Sequence, residues 1–212
     1  MVGPAHGATL ETGIKGAWRD GALNGSLAVY RAVQRNKPFQ DPAPAPPSLP
    51  YGCCVLTGSI RSSGADLQIN GELLPGSLIG AGYTYNASVD ADGGFVIASA
   101  PMHLLKVWTS NRLPGDLNRW TVGGSLRAQT PVAAAFTFVC TADFQTCMGH
   151  KVLQGAFAVV DLRSGFQITP NRAIALSVNN ILDKSYYESY SRYQQVWYGE
   201  PRNFMLRVDG KY

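Results

Sequence analysis

The sequence predicts an all-β fold, an antiparallel segment of about nine strands from a transmembrane β-barrel. Apolar and polar residues alternate with a period of two over runs of about ten residues, typical of strands with one lipid face and one aqueous face. Charged residues make up 15% of the 212 residues, whereas soluble domains average roughly 25%. The longest apolar run, Val132–Cys140, is too short for a transmembrane helix.

Six segments alternate cleanly between the two faces. In residues 10–18, Leu10, Ile14 and Trp18 oppose Glu11 and Lys15. The other clean segments are residues 65–73, 120–129, 156–168, 173–182 and 203–212. The pattern is less regular in residues 23–33, 77–85 and 103–112. Together these segments give the predicted nine strands.

The predicted connections alternate in length along the chain. Short connections fall at residues 20–21, 74–76, 113–118 and 169–171, and long ones at residues 34–57, 86–100, 130–154 and 183–201. Membrane barrels show this alternation, with short periplasmic turns and long extracellular loops. Ten residues at roughly 3.3 Å each and a tilt of about 45° span about 23 Å, close to the ~25 Å apolar band of such barrels.

A soluble β-sandwich is the structural alternative, because its strands also alternate. Two features favour the barrel. The predicted strands are longer than the mode of about five or six residues. Their polar face also carries full charges repeatedly, which a water-filled or plugged lumen tolerates. These charges are Lys15, Asp66, Glu72, Arg127, Asp161, Arg163 and Arg207.

Two stretches near the C-terminus form recognisable motifs. Residues 179–187 read Asn-Asn-Ile-Leu-Asp-Lys-Ser-Tyr-Tyr, and residues 198–204 read Tyr-Gly-Glu-Pro-Arg-Asn-Phe. They resemble the TonB-dependent siderophore receptors, a family that commonly shows Asn-Asn-Leu/Ile-x-Asp-x-x-Tyr-Tyr, then Gly-x-Pro-Arg, then a final strand ending in an aromatic residue. Residues 71–76, 82–86 and 103–109 are also similar, and the vicinal Cys53-Cys54 is similar to ferric-hydroxamate and pyoverdine-type receptors.

The resemblance implies an outer-membrane receptor for energy-coupled uptake of a ferric siderophore. Residues 9–212 would be the C-terminal portion of the barrel domain and residues 1–8 a disordered start. Neither a signal peptide nor a TonB box or plug is visible, so we expect a fragment, a truncated reading frame or one piece of a split gene that lacks the N-terminal strands. The functional alternative is a non-functional remnant or a passive barrel segment without transport.

The implied partners are outer-membrane lipid, the ferric siderophore, the TonB energy-coupling complex through the missing plug, and the barrel-assembly machinery. The ferric siderophore would be the transported ligand, and no resident cofactor is indicated. Lys and Arg are scattered singly, which argues against nucleic acid. The Cys and His spacing predicts no metal site. An enzyme is not expected, because no nucleophile motif or P-loop stands out and His103 falls by parity on the lipid side.

Residues 186–198 are the candidate ligand-binding loop. Aromatic faces and an arginine at a pore mouth suit flat, charged iron chelates. The candidates are Tyr187, Tyr190, Arg192, Tyr193 and Trp197. The alternative is an interfacial aromatic cluster that packs loop against loop.

Cysteines and girdle aromatics complete the predicted sites. A Cys140–Cys147 disulfide would close a short loop and Cys53–Cys54 a strained vicinal bond, with free thiols as the alternative. Trp18, Trp120 and Phe166 lie beside short turns, where an aromatic girdle belongs. By the resemblance, Phe204 and the final Tyr212 belong to the signal read by the assembly machinery, although Tyr212 also suits a simple girdle position.

Overall fold

A computed structural model describes residues 3–40, 55–90, 100–140, 147–190 and 196–211. The strands found there are β1 (His6–Trp18), β2 (Leu23–Gln40), β3 (Val55–Leu74), β4 (Ser77–Val89), β5 (His103–Arg112), β6 (Trp120–Gln129), β7 (Val132–Cys140), β8 (Cys147–Gln154), β9 (Phe157–Thr169), β10 (Arg172–Asn179), β11 (Tyr187–Tyr190), β12 (Val196–Tyr198) and β13 (Asn203–Gly210). A 3₁₀ turn at Gly115–Leu117 lies between β5 and β6. Within these ranges no helix has the length and hydropathy needed to cross a membrane.

Nine strands form one antiparallel sheet in the order β1-β2-β3-β4-β5-β6-β9-β10-β13, which confirms the predicted fold class. The sheet is not closed, and β1 and β13 are its edges. The predicted ranges 103–112 and 120–129 coincide with β5 and β6. β1 begins at His6, earlier than the predicted start of the barrel portion at residue 9, and the boundary between the two predicted regions stays a prediction.

All four segments predicted as long connections contain strand residues, so the predicted strand ends were wrong there, and β4 for example continues to Val89. The pairing of β2 with β3 continues to Gln40 and Val55 across a bulge, where Asn36 takes a φ of 54°. The β7–β8 and β11–β12 hairpins occupy the other two loops. None of these stretches alternates cleanly, so periodicity gave no signal, whereas backbone pairing still satisfies their polar groups.

Short and long connections lie at opposite ends of the sheet, as predicted. The β1–β2, β3–β4, β5–β6 and β9–β10 connections are short, and antiparallel order places all four at one end. In the β1–β2 turn, Asp20 and Gly21 both have positive φ, 54° and 87°. Hairpin turns need this conformation at both central positions, and Asp-Gly supplies it at low cost.

The register places apolar side chains together on the convex outer face. Leu126 pairs with Val107 on one side and Val160 on the other. On the last strand, Phe204, Leu206 and Val208 are 70%, 66% and 71% exposed. Large apolar side chains left this open in an ordered sheet suit a lipid surface. The described core is small, consisting of Phe157, Val159 and Tyr186 on the inner face.

Candidate functional site

The concave inner face of the sheet is polar and holds two adjoining concavities. Strands β5, β6, β9 and β10 form its floor. The concavity nearer the short turns measures about 690 Å³, and the one nearer the long connections about 640 Å³. The second contains the densest set of charged and aromatic contacts and is the candidate functional site. Lys106, Trp108, Arg127, Tyr186, Glu188 and Tyr198 contribute to its lining.

Arg127 of β6 is the centre of this site. Its two terminal nitrogens donate to the two carboxylate oxygens of Glu188, at 2.9 and 2.8 Å. Such a two-point pair fixes orientation as well as distance. Since Glu188 belongs to β11, the pair holds the β11–β12 hairpin against the inner face of the main sheet.

Two aromatic rings flank the Arg127 guanidinium. Its central carbon lies 5.4 Å from the Phe157 ring centre and 5.0 Å from that of Tyr186. The two rings stack with centres 4.7 Å apart, and both residues are buried. Gly199 lies against the Tyr186 ring, where a Cβ atom would collide with it. The site therefore combines a cation, a carboxylate and two stacked rings.

Charge and burial shift the pKa values of Glu188 in the hairpin and of Tyr186 just before it. The hydrogen bond from Arg127 is the main reason that the pKa of Glu188 lies below its ordinary value, and Lys106 adds to the effect. Burial raises the pKa of the Tyr186 phenol, partly opposed by Arg127. Lys106 and Arg127 are direct register partners, so two cationic side chains face the concavity side by side.

Asn180 ties the loop after β10 to the chain before β13. Its side chain is almost fully buried, with 2% exposed. Its Nδ2 donates to the carbonyls of Lys184 and Glu200, each at 2.9 Å, and its Oδ1 accepts from the Lys184 amide at 2.8 Å. The Asn180 backbone amide donates to Asp161 Oδ1 at 2.8 Å, which links this hydrogen-bond network to the inner face.

Other motif residues bond across the same loop. Asp183 accepts from the Arg202 amide at 3.0 Å and also forms an ion pair with the Arg202 side chain. Asn179 Nδ2 donates to Asn203 Oδ1 at 2.8 Å. The two stretches that carry the resemblance, 179–187 and 198–204, are therefore joined in space, and their described contacts are structural.

Among the predicted ligand-binding residues that the structure describes, Tyr187 and Trp197 do not line the concavity. Tyr187 and Tyr198 are register partners in the β11–β12 hairpin, with ring centres 5.0 Å apart. Trp197 is half exposed, and Tyr190 pairs with Val196 through the backbone. Arg192 and Tyr193 lie outside the described residues. The ligand role of all five stays a prediction.

The remaining predicted sites are placed as follows. Cys140 and Cys147 are register partners at the tip of the β7–β8 hairpin, and their disulfide stays a prediction. Cys53, Cys54 and Tyr212 lie outside the described residues.

The three girdle candidates lie at the short-turn end of the sheet. The Trp120 and Phe166 rings contact at 4.7 Å, and Arg119 lies 4.7 Å over Phe166. The Trp18 ring lies across Gly16 and Gly25. This arrangement agrees with a girdle on the outer face, which stays a prediction together with the assembly role of Phe204.

Sequence reasoning missed the partnership at the centre of the site. It placed Arg127 on the polar face and Tyr186 in the candidate loop, but it assigned no role to Glu188 or Phe157 and did not connect Tyr186 with Arg127. Period-two parity identifies inward charges but does not identify which loop residue folds back onto them. Glu188, as a carboxylate within a loop rich in aromatic residues, was the available signal.

Comparison with known proteins gives consistent matches. The family model described as TonB dependent receptor-like, beta-barrel matches residues 3–181. The ferric-pyoverdine M114 receptor PbuA of Pseudomonas sp. (strain M114) is 32% identical over 97% of this chain and 24% of its own length. The ferripyoverdine receptor of Pseudomonas aeruginosa PAO1 is also 32% identical, over 97% of this chain and 25% of its own length.

A solved structure agrees with the sequence comparisons. The pyoverdine outer membrane receptor FpvA from P. aeruginosa PAO1, bound to pyoverdine, superposes with a TM-score of 0.83 and is 31% identical. The match covers 100% of this chain and 30% of that one. The chain thus spans about a quarter of the length of the curated relatives it matches.

Proposed function

Because this chain belongs to the family of TonB-dependent receptor β-barrels, we propose that it supplies the C-terminal strands and loops of an outer-membrane receptor that takes up a ferric siderophore. The names of its relatives, which are ferric-pyoverdine receptors, support a pyoverdine-type chelate. The observation that carries the proposal is the concavity around Arg127, on the polar inner face of a sheet whose outer face is apolar.

The chemistry of the concavity suits an iron chelate with a flat aromatic part and anionic oxygens. Lys106 is exposed and faces the concavity beside Arg127, so it offers a cation to a carboxylate or a chelate oxygen. Trp108 and Tyr198 supply aromatic surface at the same opening. The proposal includes the ligand role predicted for Tyr187, Tyr190, Arg192, Tyr193 and Trp197.

Energy coupling requires further partners in this proposal. The TonB complex would act through a plug domain, and the barrel-assembly machinery would insert the strands with Phe204 and Tyr212 as part of its signal. The localisation proposed is the outer membrane, with the apolar outer face in lipid. The uptake experiment below distinguishes this proposal from the passive and remnant alternatives.

Uptake of ⁵⁵Fe-labelled pyoverdine by the source bacterium tests the proposal. Deletion of the gene should abolish uptake that an uncoupler also abolishes, and the restored gene should recover it. Unchanged uptake after deletion would support the remnant alternative. Uptake that persists with the uncoupler would support a passive segment.

A pair of lysine variants tests the concavity itself. Lys106→Met removes the cation beside Arg127, whereas Lys15→Met removes an inward lysine on β1, four strands away in the sheet order. We expect ~10- to 150-fold weaker binding of the ferric chelate for Lys106→Met, the effect of losing one charged hydrogen bond. Lys15→Met should bind normally. Equal affinity in both variants would remove Lys106 from the site.

A further inference from the structure

Three arginines form a basic cluster on the outer face of the sheet. Arg31 pairs with Leu10, Arg35 with His6, and Val33 with Arg61. Partners directly opposite each other point to the same side of a sheet. All three arginines are therefore on the face of Leu10, Ile14 and Leu27 rather than on the polar inner face. Each is exposed, and none has an acidic partner among the described residues.

Acidic residues are segregated to the opposite face. In the nine strands of the main sheet, every Asp and Glu lies at an inward position by its register partner. These residues are Glu11, Asp66, Glu72, Asp161 and Asp209. The outward face thus carries positive charge without compensating negative charge. Its only other outward arginine in these strands is Arg172, at the short-turn end.

The height of the cluster matches the far border of the apolar band. Counting from Leu23, Arg31 is eight residues along β2, or about 20 Å across the membrane at roughly 3.3 Å per residue and a tilt of about 40°. The same estimate gives about 25 Å for Arg61, through its neighbour Val33, and about 30 Å for Arg35. An apolar band of about 25 Å ends at this level.

Outward aromatic residues lie just below the cluster, since Tyr85 aligns with Val29 and Tyr83 with Leu27 through β3. Tyr83 and Tyr85 of β4 are outward, and His103 of β5 pairs with Tyr85. The Tyr83 hydroxyl lies 2.7 Å from His103 Nδ1. Amphipathic rings concentrate where hydrocarbon meets headgroups. The height estimate places the arginines above these rings, at headgroup level, where their long side chains reach the lipid headgroups.

We propose that Arg31, Arg35 and Arg61 bind the phosphate groups of the phosphorylated glycolipid, lipid A, of the outer leaflet. The occupant follows from charge and position: three outward guanidinium groups lie above an apolar face, at the long-connection end that the proposed topology places outside the cell. Arginine binds phosphate through paired hydrogen bonds, and the acyl chains would cover Leu10, Leu27 and Val29 below. The proposal rests on the proposed membrane orientation but not on the identity of the transported ligand.

Calorimetric titration of the full chain in detergent micelles tests this proposal. The probes are lipid A bisphosphate, the same lipid with both phosphates removed, phosphatidylglycerol and inorganic phosphate. We expect lipid A bisphosphate to bind at least about tenfold more tightly than the dephosphorylated lipid, with affinity falling as salt rises. Equal binding of these two lipids would overturn the proposal. Phosphatidylglycerol or free phosphate binding as tightly as lipid A would overturn the choice of occupant.

A matched pair of triple variants locates the site. Replacing Arg31, Arg35 and Arg61 with Gln should weaken lipid A bisphosphate binding about ten- to a hundredfold. Replacing the inward Lys15, Arg112 and Arg163 with Gln removes the same charge and should change affinity less than about twofold. Equal losses of lipid A affinity in the two triple variants would show that net charge alone drives binding, and would contradict the proposed site. If far-UV circular dichroism shows that the first variant does not fold, the comparison of lipids on the unmodified chain still decides.

Discussion

At the scale of single residues, Arg127 shows how one inward charge organises a loop. A guanidinium on the inner face would usually lie in water, but here Glu188 and two stacked rings surround it. The pair is partly exposed, with 28% of the Arg127 side chain and 49% of the Glu188 side chain open to solvent. Its contribution to stability is therefore on the order of 1 kcal/mol. Its larger effect is to select one position for the hairpin.

Gly199→Ala should displace the Tyr186 ring. A Cβ atom at this position collides with the ring, and Tyr186 cannot move inward because Phe157 is stacked on it. We expect a loss of about 1–3 kcal/mol and faster limited proteolysis between β10 and β13. Gly155→Ala is the matched control, since nothing lies within 4 Å of its added Cβ. Identical proteolysis of both variants would contradict the packing described for Tyr186.

Lowering the pH should release the β11–β12 hairpin from the main sheet, because protonation of Glu188 removes its ion pair with Arg127. Its pKa is lowered in the folded protein, so the stabilisation is complete above the ordinary value of 4.5 and is lost as the pH falls through the lower folded value. A fluorescence titration that follows Trp197 should show this transition in the unmodified chain. It should be missing in Glu188→Gln and retained in Glu11→Gln, an inward glutamate on β1. A transition in all three proteins would assign it to another group.

At the scale of elements, the loop after β10 is held by Asn180 rather than by apolar packing. Asn180 has a φ of 50°, which asparagine tolerates better than most residues. Its buried side-chain amide donates to the carbonyls of Lys184 and Glu200, and Glu200 lies twenty residues beyond Asn180 in the chain. The two motif stretches thus act as one structural unit.

Asn180→Ala and Asn180→Gly separate the two roles of this residue. Alanine loses the side-chain hydrogen bonds and is also strained at positive φ, whereas glycine loses only the hydrogen bonds. We expect a loss of about 1–3 kcal/mol for glycine, because buried backbone groups lose partners, and about 1–2 kcal/mol more for alanine. Urea unfolding in detergent measures both. Equal urea midpoints for the alanine and glycine variants would show that the positive φ at position 180 costs no stability.

The alternation of apolar and polar residues predicted the main sheet, because lipid and lumen impose different chemistry on alternate residues. It predicted both ends of β5 and β6 correctly. It missed β7 and β8, since Val132–Cys140 is apolar on both faces and does not alternate. The candidate site was only half predictable: Arg127 was placed inward, but its contact with Glu188 spans 61 residues and depends on how a loop folds back. Parity along a strand carries no such information.

At the scale of the whole molecule, charge is divided between the two faces of the sheet. The inner face holds every acidic residue of the main strands and most of the basic ones, while the outer face is mainly apolar and its outward arginines lie near its two ends. A soluble sheet that buries one face against a core excludes arginines from that face as well as carboxylates. A sheet with lipid on that face excludes carboxylates but keeps arginines at its borders, because desolvating a charge in hydrocarbon is costly and anionic headgroups repel carboxylates.

The topology gives the last prediction. Each strand crosses once, so fixing one end assigns every connection, and we expect the four short turns in the periplasm and the long connections outside the cell. In intact cells that lack the native cysteines, a membrane-impermeant thiol label should modify Ser185→Cys, exposed between β10 and β11, but not Asn171→Cys, exposed in the β9–β10 turn. Ser191, an alternative reporter, lies outside the described residues.

Permeabilised cells are the control, in which both positions should react. Labelling at position 171 alone in intact cells would invert the orientation. It would place the Arg127 concavity and the outward arginine cluster on the periplasmic side, where neither an external chelate nor lipid A could reach them.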